Sequence, residues 1–208
     1  MSKFTTFAAA AALTLASTVA AALAAPAVDQ PAPGFTAVTA KGETLALEDL
    51  RGKTVVLEWT NHGCPFVRKH YKSGNMQTLQ KDATAEGDVV WLQVISSGPG
   101  RQGHVDGAEA QTLNAKRGAV PSETLMDPEG VLGQAYAARV TPHMYIIDPE
   151  GVLRYQGGID SIASADPADI PAATNYVREA MAALSAGEAV PNPVTRAYGC
   201  SIHYSPAS

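Results

Sequence analysis

The sequence has few cysteines, few charged residues and few aromatic residues. Its 208 residues include only two cysteines, Cys64 and Cys200, and 17% are charged and 6% aromatic. Two distant cysteines exclude a disulfide-rich scaffold, a local Cys-x-x-Cys pair and a four-cysteine zinc site. The glycines show no phosphate-binding or dinucleotide spacing, so we predict no organic cofactor. A formal net charge of -5 gives no electrostatic reason to expect nucleic acid as a partner.

Charge is also absent from most of the N-terminal segment. Lys3 precedes an uncharged, alanine-rich run at residues 7–23, and the Ala-Leu-Ala sequence at 22–24 fits a cleavage site. We therefore predict that residues 1–24 are a signal peptide and that the mature protein is secreted across the inner membrane into the periplasm. We expect no stable membrane insertion after cleavage. The alternative is an uncleaved anchor, although about 17 weakly apolar residues are short for a membrane span.

The rest of the chain alternates predicted strands and helices. A hairpin turning at 41–42 leads into the buried strand TVVLEW, and a second hairpin follows VTPHMYIID near the end. Alternating strands and helices favour a largely parallel sheet, to which terminal hairpins add antiparallel strands. We predict one domain over residues 25–208, with an α/β fold of three layers, a mixed central sheet and a tail at about 189–208. The predicted helices span 65–85 with a candidate break at 73–74, 108–118, 128–140 and 171–186.

Cys64 lies where the strand TVVLEWT ends and a helix is predicted to begin. Pro65 suits the first helical position, where its missing N–H group has no helical partner to lose. A thiolate is the nucleophilic form of cysteine, and the free N–H groups and positive dipole of a helix N-terminus stabilise an anion. We therefore predict that Cys64 is redox-reactive and lies outside the apolar core, and the alternative is a purely structural bond. Nearby positive charge comes from Arg68, Lys69 and His70.

Several segments together resemble a known family. They are PAPGFTAVTAKGETLALEDLRGKTVVLEW, the Cys64-Pro65 pair, VTPHMYIIDPEGVLRYQGG and the final predicted helix. Over about residues 31–188 the chain is similar to the thioredoxin superfamily, in particular to the redoxin branch of alkyl hydroperoxide reductases and thiol-specific antioxidants, which are peroxiredoxin-like. The resemblance implies a three-layer thioredoxin-like fold with an N-terminal β-hairpin extension. It also implies thiol–disulfide exchange or peroxide reduction, with Cys64 as the nucleophile.

The family resemblance also implies a cis proline facing the active cysteine. Thr141-Pro142, just before the strand that begins at His143, matches that position. A cis bond before proline turns the chain so that backbone polar groups point at the sulfur, and such bonds are deliberate features of a fold. Thr141, Pro142 and Pro65 would then shape the substrate site, and His143 would line it. The alternative is an ordinary trans proline at the start of a strand.

Two departures from the family pattern leave the reaction open. Val67 stands three residues after Cys64, so the local dithiol of thioredoxins is missing. Typical peroxiredoxins carry a threonine three residues before the active cysteine, whereas here that position is Asn61 and Thr60 lies one residue earlier. The hydroxyl that would polarise a peroxide is therefore out of register. The substrate is predicted to be a peroxide or a disulfide, and the reductant a thiol protein or a small thiol.

Cys200 is the only candidate partner for Cys64. It lies in the tail segment YGCSIHY, where Gly199 is compatible with a mobile segment or an ordinary turn. An accessible second thiol resolves a sulfenic acid or a mixed disulfide on the first. Cys200 is therefore predicted to be the resolving cysteine. The alternatives are a permanent structural Cys64–Cys200 disulfide and two unconnected thiols.

Glu58 interrupts the apolar strand just before the Cys64 loop. If the strand is central, burial raises the pKa of this carboxyl group and allows it to shuttle protons to the thiol, as in thioredoxins. The alternative is a carboxylate on a partly open face that pairs with lysine or arginine. Cys64 with a nearby histidine would also suit copper, but no local metal-ligand spacing supports such a site, so we predict no bound metal. The histidines are His62, His70, His104, His143 and His203.

Overall fold

A computed structural model describes residues 25–206. The predicted signal peptide at 1–24 lies outside the described residues. Between residues 25 and 206, no helix is both long enough and apolar enough to cross a membrane. The strands are β1 (Thr36–Thr39), β2 (Thr44–Ala46), β3 (Thr54–Trp59), β4 (Val89–Ile95), β5 (Glu123–Met126), β6 (Val140–Thr141), β7 (His143–Ile147), β8 (Leu153–Gly157) and β9 (Cys200–Ser201). The α-helices are α1 (Pro65–Lys72), α2 (Asn75–Thr84), α3 (Gly107–Arg117), α4 (Val131–Ala135) and α5 (Tyr176–Ser185).

The central sheet is mixed and has the strand order β2-β1-β5-β4-β3-β7-β8. Strands β3, β4 and β5 run parallel, whereas β7 and β8 form the antiparallel hairpin that the sequence predicted. Apolar residues of α1, α2 and α5 cover one face of the sheet, and those of α4 and the tail cover the other. The three-layer α/β prediction is therefore confirmed, including the N-terminal hairpin of β1 and β2.

Two helices differ from their predicted bounds for local reasons, whereas the candidate break at 73–74 is confirmed. The predicted helix at 65–85 is interrupted there by Gly74, which has a left-handed conformation with a φ of 78°. The predicted helix at 171–186 begins only at Tyr176, because Asn175 caps its first turn by accepting a hydrogen bond from Arg178 N. Helix α4 is shorter than predicted and is followed by Ala137, which has a φ of 51°.

The tail packs closely against the rest of the protein. Strand β9 pairs with β6 in a separate two-stranded sheet. Further along the tail, the Tyr204 hydroxyl donates to the carbonyl of Ala138, and the backbone N–H of Gly98 donates to His203 O. Gly199, with a φ of 142°, is required for close packing, because a Cβ atom there would lie 1.9 Å from Thr141 O. The structure therefore shows a docked tail, and Gly199 permits its close approach.

Candidate active site

The first turn of α1 presents Cys64 as the sequence predicted. Cys64 is the N-cap residue, and Pro65 occupies the first turn of the helix. The Cys64 carbonyl accepts from Arg68 N at 2.9 Å, and its own N–H donates to Asn61 O at 3.1 Å. Cys64 therefore stands at the helix end whose free amides favour negative charge, although its side chain makes no capping hydrogen bond to them.

The predicted cis proline is present and faces this sulfur. The Thr141-Pro142 peptide bond is cis, and the Cys64 thiol donates to Thr141 O over 3.1 Å. The Thr141 hydroxyl is buried and has no hydrogen-bond partner among residues 25–206. One residue thus accepts from the Cys64 thiol and retains a spare hydroxyl donor close by.

Cys200 meets Cys64 at the same residue. In the β6–β9 pair, Thr141 lies directly opposite Cys200. Both cysteines are free thiols, and the pKa of Cys200 is raised to about 12, chiefly by burial and then by its hydrogen bond with Cys64. Thr141 therefore contacts both cysteines, accepting from the Cys64 thiol through its carbonyl oxygen and pairing with Cys200 across the two strands.

The burial of Cys64 differs from the sequence expectation. Its side chain has 0% exposure and belongs to the apolar cluster around Val67 and Met144. Reactive cysteines usually occupy partly exposed, electropositive sites. The tail accounts for part of this burial, because Cys200 packs against the cluster and Gly199 approaches Thr141 closely. The prediction that Cys64 lies outside the apolar core is therefore wrong for this closed arrangement.

The cations predicted near the sulfur have different environments. Arg68 is exposed, whereas Lys69 and His70 are fully buried. Lys69 Nζ lies 3.5 Å from Asp160 Oδ2, and burial lowers the pKa of His70 to about 4. His70 is therefore neutral near pH 7, and the charge of Lys69 is balanced by Asp160. The sequence could not reveal this pairing, because it depends on which side of α1 each residue faces.

Lys69, His70, Asp160 and Tyr198 form a group that we name the anchor cluster. The Tyr198 hydroxyl donates to Asp160 Oδ1 and lies 3.4 Å from His70 Nε2. Lys69 Nζ also donates to Ile162 O at 3.1 Å. Sequence reasoning missed Asp160 and Tyr198, and the only available signal was the adjacent Lys-His pair in a chain with few charges.

Asn61 organises the loop that precedes Cys64. Its side-chain oxygen accepts from Gly63 N at 2.9 Å, and its side-chain nitrogen donates to Gln102 Oε1 at 2.8 Å. A Cβ atom on Gly63 would lie 2.4 Å from Gln102 Nε2, so the loop has little free space. Asn61 thus has a structural role at the position where typical peroxiredoxins have threonine, and Gln102 was not predicted.

Glu58 is fully buried below α1, as the central-strand interpretation required. It accepts hydrogen bonds from Tyr71 at 2.7 Å, from Gln80 at 3.0 Å and from Trp91 at 2.9 Å. Burial raises the pKa of Glu58, while the Arg117 charge and these three donors oppose the rise. Within the described range, none of its hydrogen bonds reaches a cysteine. The desolvated environment matches the expectation, but a direct proton path to Cys64 is not part of this network.

His143 lies beside the cis proline but faces away from the Cys64 cluster. Its ring packs 4.6 Å from that of Tyr145, and burial lowers the pKa of His143 to about 4. Neighbouring strand residues alternate between faces, and Met144 is the one that joins the Cys64 cluster. His143 instead lines a pocket of about 330 Å³ together with Tyr136 and Gln156. We therefore assign it no role in the reaction.

Metal-ligand geometry was tested over the same part of the chain. Residues 25–206 contain no group of three or more His, Cys, Asp or Glu side chains placed to hold a metal ion. The copper-handling alternative therefore has no supporting ligand set in the region described.

Residues 28–156 match the model of the AhpC/TSA family. The chain belongs to the AhpC/TSA family. This match confirms the redoxin resemblance over most of the described chain, including Cys64 and the cis proline. No curated protein was found to match the chain.

Solved structures agree with the thioredoxin-like fold of this AhpC/TSA protein. An uncharacterized conserved protein from Geobacillus kaustophilus has a TM-score of 0.72 at 22% identity, covering 88% of this chain and 94% of its own. A hypothetical protein from Sinorhizobium meliloti 1021 has a TM-score of 0.66 at 21% identity, with coverages of 88% and 98%. A protein described as the thiol:disulfide interchange protein DsbE from Chlorobium tepidum has a TM-score of 0.51 at 18% identity, with coverages of 64% and 85%. Similarity at these identities establishes the fold alone.

Proposed function

We propose that this protein is an exported thiol oxidoreductase in which Cys64 is the nucleophile and Cys200 resolves its oxidised intermediate. The observation that carries the proposal is the meeting of both thiols at Thr141, beside the cis proline. The position of Cys64 at the helix start supports its role as nucleophile, because that environment favours a thiolate. Membership of the AhpC/TSA family supports the class of chemistry. The predicted signal peptide supports a periplasmic location for the reaction.

The peroxide reaction has two steps before reduction. The Cys64 thiolate attacks one peroxide oxygen, the O–O bond breaks, and the departing alkoxide takes a proton to leave as an alcohol or water. Cys200 then loses its proton and attacks the Cys64 sulfenic acid, so that water leaves and a Cys64–Cys200 disulfide forms. Two thiols from a reductant protein or a small thiol restore both cysteines and leave joined as a disulfide.

Thiol–disulfide exchange would use the same two sulfurs. Cys64 attacks a substrate disulfide and releases one substrate thiol, and Cys200 then attacks the mixed disulfide and releases the second. Both the nitrogen and the oxygen of the Asn61 side chain are already hydrogen-bonded, which bears on the choice between a peroxide and a disulfide substrate. The buried hydroxyl groups of Thr141 and Thr60 have no hydrogen-bond partner in the described range, and both are candidate donors to a peroxide oxygen.

The proposed cycle requires the tail to move. Cys64 has no exposed surface, so a substrate reaches it only after the segment 199–201 separates from β6. The pKa of Cys200, raised to about 12, keeps that thiol protonated while the tail is docked against reduced Cys64. Tail release would therefore expose Cys64, and renewed docking would bring Cys200 back for resolution.

A second candidate is a non-catalytic thioredoxin-fold module in which a Cys64–Cys200 disulfide only fastens the tail. The complete burial of Cys64 favours this candidate. In that case the disulfide would stabilise the fold by constraining the unfolded chain. It would not need to exchange with external thiols.

Mass spectrometry on cysteine variants separates the two candidates. Under the oxidoreductase proposal, Cys200→Ser treated with peroxide gains one oxygen atom on Cys64, or forms a mixed disulfide when treated with oxidised glutathione. The wild-type protein instead loses two hydrogen atoms as its disulfide forms, and a small thiol reverses the change. Cys64→Ser is the matched control and should do neither. If Cys64 in Cys200→Ser stays unmodified by both reagents, the oxidoreductase proposal is wrong.

A further inference from the structure

The anchor cluster joins the two cysteine-bearing segments. Lys69 and His70 follow Cys64 on α1, and Tyr198 lies two residues before Cys200 in the tail. Asp160, which follows β8, lies between them and is only 3% exposed. Tyr198 packs against the cluster through its ring as well, with Lys69 Nζ 5.9 Å from the ring centroid. The tail is therefore held to α1 through one carboxylate.

Stability alone is a weak explanation for this arrangement. Lysine is rarely fully buried unless it is paired, and burying an ion pair removes two charges from water at a large desolvation cost. Apolar residues of similar volume would often stabilise such a site equally well. Moreover, Asp160 Oδ2 lacks a hydrogen bond with good geometry inside the described range, so the pairing is not optimised for stability. A role in positioning the tail explains better why this buried site contains charged residues.

The contacts of the tail indicate that the anchor cluster positions Cys200. The Tyr198 hydroxyl is the tail's polar contribution to the anchor cluster, and it donates to Asp160 Oδ1. Gly199 follows, pressed against the Thr141 carbonyl, and Cys200 then falls opposite Thr141 in the β6–β9 pair. A shift of one residue in this pair would turn the Cys200 side chain to the other face, away from Cys64.

We propose that Tyr198, held by Asp160, is the positioning residue that sets Cys200 against Cys64. The positioning itself is independent of the reaction, whereas its value for resolving an oxidised Cys64 rests on the function proposed above. The contact of Lys69 Nζ with Asp160 Oδ2, at 3.5 Å, orients Asp160 so that its other oxygen accepts from Tyr198. Tyr198 therefore controls how often Cys200 occupies its docked place.

Conservative tyrosine variants test the proposal. Tyr198→Phe keeps the ring and removes the hydroxyl, and Tyr136→Phe is the control, since it removes a buried hydroxyl that donates to Pro33 O and not to the anchor cluster. In the fully reduced protein, Tyr198→Phe should raise the rate of Cys200 alkylation by iodoacetamide about tenfold, because a hydrogen bond to a charged acceptor is lost. Tyr136→Phe should leave that rate within about twofold of wild type while lowering the melting temperature.

A glutathione redox buffer gives the second readout. The ratio of Cys64–Cys200 disulfide to dithiol should fall in Tyr198→Phe in proportion to the docked fraction of the reduced protein, which is a smaller change than the rise in alkylation. Equal alkylation of Cys200 in wild type and Tyr198→Phe, or an equal rise in Tyr136→Phe, would overturn the positioning role. If wild type forms no internal disulfide, the proposed resolving step fails, and the alkylation rates still decide the positioning role.

Discussion

Acid should destabilise the protein through His70. Its pKa is lowered to about 4 because burial disfavours the charged imidazole, and the Lys69 charge adds to this effect while Asp160 opposes it. Asn75 Nδ2 lies 2.9 Å from His70 Nδ1, so that nitrogen is the acceptor and the proton resides on Nε2. Protonating Nδ1 would turn this hydrogen bond into a clash between two donors. The neutral ring is therefore built into the anchor cluster.

The size and direction of the effect follow from the two pKa values. Lowering the pKa from 6.5 to about 4, at about 1.4 kcal/mol for each pH unit, corresponds to about 3 kcal/mol. Because the unfolded chain binds the proton first, this stability is fully present above pH 6.5 and is lost as the pH falls toward 4. Urea unfolding at a series of pH values should therefore show less pH dependence in His70→Asn than in wild type.

The comparison with a variant isolates His70 from other titrating groups. His143 also has its pKa lowered to about 4, and its contribution is the same in both proteins. His203→Asn is the matched control, because this histidine is exposed and should leave the pH dependence unchanged. A direct check is the imidazole NMR signal of His70. If it titrates near the ordinary histidine value, or if His70→Asn keeps the full wild-type slope, the reasoning fails.

Three other predictions follow from packing and hydrogen bonding. Gly199→Ala should displace the tail and raise Cys200 alkylation at least about tenfold, because its Cβ would meet a backbone carbonyl, whereas Gly42→Ala, also at positive φ but in open space, should not. In the wild type, the raised pKa of Glu58 in the folded state gives stability at low pH that is lost as the pH rises above the ordinary glutamate pKa and the carboxyl group ionises. Glu58→Gln should therefore lose less free energy of unfolding than the wild type over this pH rise. An unchanged pH slope would contradict this. Asn61→Ala should lower the free energy of unfolding by about 1–3 kcal/mol in urea titrations, through two lost side-chain hydrogen bonds, and no change would remove its proposed structural role.

Much of the fold could be predicted from local patterns. Strand β3 combines β-branched residues with a short length and turn signals, and these features suffice to predict a buried strand. The Cys64-Pro65 pair predicted the helix start, because proline is compatible with only a few positions in a helix. The cis state of Thr141-Pro142 came from the family resemblance and was confirmed.

The remaining features depend on contacts between distant parts of the chain. Gly199 looks the same in sequence whether it loosens a tail or allows close packing, and only the position of the Thr141 carbonyl distinguishes the two. The burial of Lys69 depends on the partner Asp160, which lies after β8. His143 was misplaced because one step along a strand reverses the face, and the sequence does not fix which face meets Cys64.

The proposed release of β9 from β6 also has a consequence for the assembly of the protein. A long irregular stretch separates α5 from β9, the strand that bears Cys200. No tight turn therefore ties β9 to the β6 strand of its own molecule. A second molecule offers an identical β6 edge and an identical Asp160. The proposed tail release therefore predicts swapped dimers at high protein concentration, in which Cys200 of one molecule attacks the peroxide-oxidised Cys64 of the other and water leaves as the intermolecular disulfide forms.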